Sequence, residues 1–292
     1  MTTPKEQPPT PTSGLLHDQG YRHYGGLRAP HGQAWMVIAR MHVMSALKYR
    51  PFLMLLLVAW ARVIYYAVRI YVSSVSPQVP TFFAVNPGLF QEFLTGQGIF
   101  VFLVTIGQAG IIADDRRANA LQLYLSKPLT RLEYITGKLV PPMLWLLGVT
   151  WVPAMLLVIL QVVLSGSFAF LRENLFLLPA ITVASFVDSL LSAFLILALS
   201  SLSKSRRFVS VMFAGIMFFT FGMYQSLRAI TGSRWWAAIA PGQMVDVITA
   251  WVFRARVEPL VPVPVAVAVV VGLIVLSAII LERRVRGVEV VA

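Results

Sequence analysis

Six long apolar runs set what this chain can fold into, because each is close to the roughly 20 residues that a helix needs to cross a bilayer. A helix satisfies its backbone hydrogen bonds internally, so apolar runs of this length predict transmembrane helices. Charged residues make up 12% of the chain, about half of the ~25% of an ordinary soluble domain. The sequence therefore predicts an all-α membrane protein with six spans. They are expected at residues 52–73, 93–113, 139–164, 179–202, 208–226 and 260–281.

The distribution of Lys and Arg predicts the orientation of these spans. The alternate segments 1–50, 114–138, 204–207 and 282–292 hold 17 of the 24 basic residues, whereas the segments on the other side hold 5. Membrane proteins carry an excess of basic residues on the cytoplasmic side. We therefore expect a multi-pass protein of the inner or plasma membrane, with both termini in the cytoplasm.

The segments outside the spans divide the chain into further parts. Residues 1–33 are rich in Pro and Gly and have no apolar period, which is typical of a flexible tail. Trp35 and Ile38 begin an apolar pattern at helical spacing, interspersed with basic residues, that predicts a helix along the inner membrane surface. The expected parts are the cytoplasmic tail 1–33, the interface helix 34–50, the six-span domain 51–283 with an inner loop 114–138 and an outer loop 227–260, and the cytoplasmic C-terminal tail 284–292.

The outer loop 227–260 is too long and too apolar for a simple connection. Ser233 is expected to cap a short helix that ends at Pro241, and a second short helix is expected over 243–253. Paired Trp residues in this loop favour the membrane interface. The pattern predicts two re-entrant or surface-lying helices, which act either as an interfacial anchor or as an exit gate over a substrate path.

The inner loop 114–138 has more internal order than a connector needs. Asp114 and Asp115 are expected to cap a short helix whose apolar residues recur at spacings of three and four. Pro128 ends that helix, and Thr130 with Glu133 forms a capping box that starts another. We interpret this loop as a docking element. The alternative is a solvated basic connector without a partner.

Ionisable side chains inside a membrane are costly and are functional candidates by default. Arg62 lies near the middle of the first span and Asp188 near the middle of the fourth, so we expect that the two can pair. Tyr65, Tyr66 and Arg69 follow Arg62 at helical spacing and form with it a polar stripe on the outer half of the first span. This stripe serves either helix packing, with Arg69 extended towards the interface, or a wet cavity or subunit interface.

Several classes of function lack their residues. The chain has no Cys, and all four His residues precede the first span, which argues against a metal site or a His-dependent hydrolase in the membrane. No nucleotide-binding P-loop is present, since Leu139 follows Gly137-Lys138. We therefore expect no catalytic residues, no metal and no directly bound cofactor.

The inner loop resembles a known family. The resemblance rests on Asp114-Asp115-Arg116-Arg117, on Leu121-x-Leu123-x-Leu125-Ser126-Lys127-Pro128-Leu129-Thr130-Arg131, and on Tyr134-Ile135-x-Gly137-Lys138. This run is similar to the first cytoplasmic loop of ABC-2-type transporter permeases, the membrane subunits of type-2 ABC exporters. The six-span layout and the basic helix before the first span extend the likeness. Many members have a Gly-Thr or Gly-Ser pair where this chain has Ala118-Asn119-Ala120.

The resemblance implies a function and its partners. The loop would carry a coupling helix that docks on a separate ATPase subunit, and that subunit would bind the ATP and Mg²⁺. The permease would work with a second copy of itself or with a paralogue. Membrane lipids would be further partners, and nucleic acid would not. The docking residues that it implies are Asp114, Asp115, Arg116, Arg117, Leu121, Tyr124, Pro128, Arg131 and Lys138. The alternatives are a membrane subunit of the same fold that transmits force or a signal, a secondary transporter or channel, and a membrane-embedded enzyme. The sequence does not indicate a substrate.

Overall fold

The computed structural model describes residues 34–75, 85–119, 130–255 and 259–285, which form an all-α membrane fold. The helices of this part of the chain are α1 (Ala34–Lys48), α2 (Arg50–Val75), α3 (Pro87–Gly96), α4 (Gly98–Gly107), α5 (Gly110–Arg117), α6 (Arg131–Val149), α7 (Trp151–Ser165), α8 (Ala169–Glu173), α9 (Leu177–Leu202), α10 (Arg206–Thr231), a 3₁₀ helix (Arg234–Ile239), α11 (Pro241–Val252) and α12 (Val263–Arg284).

The six predicted spans are confirmed among the described residues. Six helical stretches are long and apolar enough to cross a membrane. They are α2, α3 to α5 together (Pro87–Arg117), α6 with α7 (Arg131–Ser165), α9, α10 and α12. The second and third spans are longer than predicted, because charged turns at their ends continue the same helical stretch.

Helix α9 forms the centre of the bundle, where it packs against α3 to α7 and α10 to α12. Small residues such as Ala184, Ser189 and Ala193 are buried along it and let the neighbouring backbones approach closely. By contrast, α2 and α10 expose many large apolar side chains, including Leu57 and Phe219, as expected for surfaces that face lipid.

The second and third spans are each interrupted, and one side chain connects their breaks. Pro153 has no N–H, so the carbonyl of Val149 loses the donor that a regular helix would supply. The side-chain amide of Gln97, at the break between α3 and α4, donates to that carbonyl at 2.8 Å, and Gln97 is fully buried. A side chain of the second span therefore supplies the donor that the backbone of the third span lacks.

The predicted capping box is confirmed at the start of α6. The Thr130 hydroxyl accepts from the Glu133 N–H, and the Glu133 carboxylate accepts from the Thr130 N–H. The helix that this box starts is continuous with the third span, since α6 runs through Pro141 and Pro142 to Val149.

The expected capping role of Asp114 and Asp115 is wrong. Both residues lie inside α5, which continues the second span to Arg117 and ends before Asn119, whose φ is 53°. The short helix that they were expected to cap falls largely on residues 120–129. Leu121, Tyr124 and Pro128 therefore lie outside the described residues.

The outer loop has the two expected short helices. The Ser233 hydroxyl accepts from the Trp235 N–H at the start of the 3₁₀ helix. Pro241 is the first residue of α11, so it starts the second helix instead of ending the first. α11 packs against α9 and α12, whereas Trp235 and Trp251 are exposed. This helix is thus part of the bundle and not only a surface anchor.

The segment predicted as an interface helix is helical, as α1, and this helix ends at Lys48. It packs along α6 and covers Tyr134 with Ile38. The tails 1–33 and 286–292 lie outside the described residues.

Candidate functional site

A buried ion pair joins α5 to α6 at the end of the bundle that carries most basic residues. Lys138 Nζ lies 2.5 Å from a carboxylate oxygen of Asp115, and the Lys138 side chain is completely buried. The same ammonium donates to the carbonyl of Ile111 at 2.8 Å. An isolated charge in such a place is strongly unfavourable, so this lysine depends on its partners.

Two further side chains complete this cluster. The Tyr134 hydroxyl donates to the Asp115 carboxylate at 2.8 Å, and His42 Nε2 lies 2.5 Å from Lys138 Nζ. Burial and the neighbouring Lys138 charge lower the pKa of His42 from 6.5 to about 4. At neutral pH its ring is therefore uncharged and accepts from the ammonium. We call Asp115, Tyr134, Lys138 and His42 the junction.

The junction extends to α1 because α1 and α6 approach closely. A Cβ at Gly137 would come within 2.9 Å of Ile38 and of the Trp35 carbonyl, so only glycine leaves room for this contact. Since His42 lies one turn after Ile38, the close approach brings its ring to Lys138. Three helices are thus joined by one polar cluster.

Helix α5 is also fixed to the central helix α9. The first N–H groups of a helix have no intrahelical partner, and here the Ser200 hydroxyl accepts from the N–H groups of Ile112 and Ala113 at 3.0 and 2.9 Å. The same hydroxyl donates to the Ala109 carbonyl. Arg116 donates to the carbonyl of Ser201. Helix α5 is therefore a separate short piece, held by α9 and by the junction.

The docking residues implied by the resemblance divide into two groups. Asp114, Arg117 and Arg131 are exposed and accessible to a partner. Asp115 and Arg116 are instead engaged within the bundle, and Lys138 has no accessible surface in this structure. Lys138 is therefore part of the junction, and its side chain is not exposed for docking.

The polar stripe of the first span packs against α3. Arg69 forms an ion pair with Glu92 at 3.0 Å, and its side chain is only 6% exposed. Arg62 donates to the Tyr66 hydroxyl at 3.3 Å and lies against Gly96, where a Cβ would clash with its guanidinium. Glu92 therefore neutralises the buried Arg69.

The stripe also shows how its aromatic members contribute. The Tyr66 ring is buried, with its edge against Phe93 and its face near both Arg62 and Arg69. Tyr65 is half exposed beside it. The helix-packing interpretation of the stripe is the one that these contacts favour.

The expected pairing of Arg62 with Asp188 is wrong. The ion pairs found in the described ranges are Arg69 with Glu92 and Lys138 with Asp115. Asp188 instead lines a cavity of about 450 Å³ together with Asp246 of α11. The positions of Arg62 and Asp188 along their spans predict similar depths in the membrane. They do not predict which neighbouring helix each side chain faces.

Two residues of these sites were missed by the sequence analysis, His42 and Asp246. His42 follows Ile38 at a spacing of four, which already places it on the apolar face of α1. Asp246 follows Pro241 by five residues in an otherwise uncharged segment, so its charge was a usable signal. Within the described part of the chain, no group of three or more His, Asp or Glu side chains is arranged to hold a metal ion.

Comparison of the chain with models of known protein families and with curated proteins gives no match. What the fold defines is thus its class, an all-α multi-pass membrane protein.

Proposed function

We propose that this chain is the membrane subunit of an ATP-driven transporter of the ABC-2 type, working as an exporter with a separate ATPase subunit and a second permease copy or paralogue. The observation that carries the proposal is the junction, because it connects a segment with exposed charges to two other helices. The likeness of the inner loop to ABC-2 permeases supports the same assignment. In this proposal the chain itself has no catalytic role, and ATP and Mg²⁺ bind to the partner ATPase.

The geometry supports a mechanism in which α5 receives the force. Arg117 and Asp114 lie exposed at the last turn of α5, immediately before the residues of the proposed coupling helix. Because Asp115 is bonded to Lys138 and Tyr134, a push on α5 is passed to the start of α6. His42 passes it to α1.

The breaks in the spans provide places for that movement to bend the bundle. The second span is interrupted between α4 and α5 at Gln108, and the third between α6 and α7 at Thr150. Interrupted helices bend at such points more readily than continuous ones. ATP-driven closure of the two ATPase subunits would then tilt the inner ends of the second and third spans and open a path outward.

Affinity purification of the full-length chain in mild detergent tests the docking. We expect an ATPase, identified by vanadate-sensitive ATP hydrolysis, to co-purify with the native chain and to be lost from the variant Arg117→Glu/Leu121→Asp. Arg116 stays unchanged because it holds the Ser201 carbonyl. Arg283→Glu reverses an exposed charge at the end of α12 and is the matched control, with full recovery expected. Equal ATPase recovery with both variants, or none with the native chain, would contradict the proposal.

A secondary transporter is a second candidate, and one observation favours it. Such a transporter is expected to have paired acidic residues within the membrane or internal repeats, and Asp188 and Asp246 line the same cavity. Transport by reconstituted vesicles separates the two candidates. The ABC proposal expects transport that requires ATP and the ATPase subunit, whereas the second candidate expects transport driven by an ion or proton gradient without ATP.

A further inference from the structure

A cavity of about 450 Å³ lies between the second span, α9, α10 and α11, apart from the junction. Its volume is in the range of pockets that bind small molecules. Thr95 and Phe102 line it from the second span, Asp188 from α9, Phe221 from α10 and Asp246 from α11. Four elements thus converge on one space.

The walls of the cavity are mainly apolar and aromatic. Phe102, Phe213, Phe218 and Phe221 contribute rings, and Phe102 contacts both Phe213 and Phe218 at centroid distances of 5.7 and 5.3 Å. Aromatic faces attract cations through their quadrupole as well as burying apolar surface. Such walls suit a ligand with an apolar body and a positive charge.

The charges in the cavity are of one sign. Asp188 and Asp246 are acidic, and no Lys or Arg is among the described residues that line it. Gln243 of α11 donates to the Asp246 carboxylate at 3.4 Å. Because the amide is neutral, this bond does not compensate the charge. Ion pairing in the described residues occurs elsewhere, at Glu92 and Asp115.

The cavity wall also contains the buried polar side chain of Ser185. Ser185 is 2% exposed and lines the cavity one turn before Asp188, and its hydroxyl makes no hydrogen bond within the described structure. Buried hydroxyl groups without a partner are rare and unfavourable. The Ser185 hydroxyl is therefore a polar group in the cavity wall that the described part of the protein leaves unsatisfied.

We propose that this cavity binds a lipophilic organic cation, whose charge is neutralised by Asp188 and Asp246 and whose apolar body lies against the phenylalanine rings. Two carboxylates that line the same cavity repel each other, and a positive ligand between them is attracted by both. Binding itself is a property of this chain alone. The further step, that such a cation is the transported substrate, rests on the proposed transport function.

The test uses two probes of nearly the same shape and opposite charge, tetraphenylphosphonium and tetraphenylborate. Binding of each is measured by equilibrium dialysis to the full-length chain in nanodiscs of zwitterionic lipid, with empty nanodiscs as the blank. We expect saturable binding of the phosphonium only. Asp188→Asn/Asp246→Asn should weaken it at least about tenfold, because both charges that attract the cation are removed.

The matched control is Glu173→Gln, which removes an exposed acidic charge at the end of α8, outside the cavity. It should bind the phosphonium as the native chain does. A second variant, Phe221→Ala, keeps both carboxylates and should weaken binding by removing one wall. Thermal unfolding and size-exclusion profiles establish that each variant is folded before its affinity is compared.

Three outcomes would overturn the inference. The first is equal binding of both probes, and the second is phosphonium binding that the double variant retains. The third is a double variant whose assembly state changes while its phosphonium binding does not. That result would make the cavity a contact between copies. Because no ATPase is present, failure here leaves the docking test untouched. Loss of ATPase docking with intact phosphonium binding would reject the transporter proposal alone.

Discussion

The junction and the cavity both bring together charged side chains from different helices, but they differ in how the charges are compensated. In the junction, Lys138 is neutralised by Asp115 and also bonds His42 and the Ile111 carbonyl. In the cavity, Asp188 and Asp246 share a space without a basic residue among its described lining. The first arrangement is complete within the chain and links helices. The second is completed by a ligand.

The largest expected effect follows from breaking the junction. Lys138→Met leaves Asp115 with a largely buried and unpaired charge, so the free energy of unfolding should fall by about 3–5 kcal/mol. Denaturant titration in detergent measures it. Lys138→Met/Asp115→Leu removes both charges and should recover most of the loss. A double variant as unstable as the single one would show that the pair is not what stabilises this site.

Acid should loosen the junction through His42. Its pKa is about 4 in the folded chain and 6.5 when unfolded, so between these values the unfolded state binds the proton more readily. The free energy of unfolding should therefore decrease as the pH falls from about 6.5 to 4, by up to about 3 kcal/mol, and this contribution should be constant above 6.5. Comparison of pH profiles for the native chain and His42→Gln isolates the effect. Identical slopes in the two profiles would contradict it.

A neutral buried hydrogen bond should matter less than the ion pair. Gln97→Leu leaves the Val149 carbonyl without a donor, because Pro153 cannot supply one, and should lower the free energy of unfolding by about 1–3 kcal/mol. Gln91→Leu changes a partly exposed glutamine one and a half turns earlier and is the control, with little effect expected. Equal losses for the two variants would mean that the bond to Val149 contributes nothing specific.

The smallest change in the free energy of unfolding is expected in the cavity, in contrast to the junction. Without a ligand, Asp188 and Asp246 have no ion-pair partner among the described residues that line the cavity, and the hydrogen bond from Gln243 to Asp246 is long. Asp188→Asn/Asp246→Asn should therefore change the free energy of unfolding by less than about 0.5 kcal/mol or raise it. The same denaturant titration measures this. A loss as large as that of Lys138→Met would show that the two acids have an internal partner after all.

Hydropathy and capping patterns were sufficient to predict the main elements. The six spans follow from the length of the apolar runs, and the start of α6 follows from Thr130 and Glu133, since both signals are local. The role of Asp114 was misjudged because a charged pair after an apolar run resembles a helix start. Here the helix continues, with Ser200 of a distant segment capping α5.

The sites were only partly predictable because they depend on contacts between spans. The sequence identified Asp115, Lys138, Arg69 and Asp188 as residues of interest, but it gave none of their partners. Those partners lie on other helices and are fixed by which face each helix turns inward. A close approach such as that at Gly137 follows from tertiary packing, which a local pattern does not encode.

The proposed transport function is tested most directly by whether ATP moves the end of the helix bundle that holds the junction. The chain has no Cys, so Leu132→Cys places a single spin label at an exposed position on α6. The label reports the distance between two copies of the chain in the complex that the proposed function expects with an ATPase. A label at Phe168→Cys, exposed between α7 and α8, is the reference. We expect ATP to shift the Leu132 distance distribution, and Lys138→Met/Asp115→Leu to reduce this shift. The same Leu132 distribution with and without ATP, or the absence of any distance between copies, would contradict it.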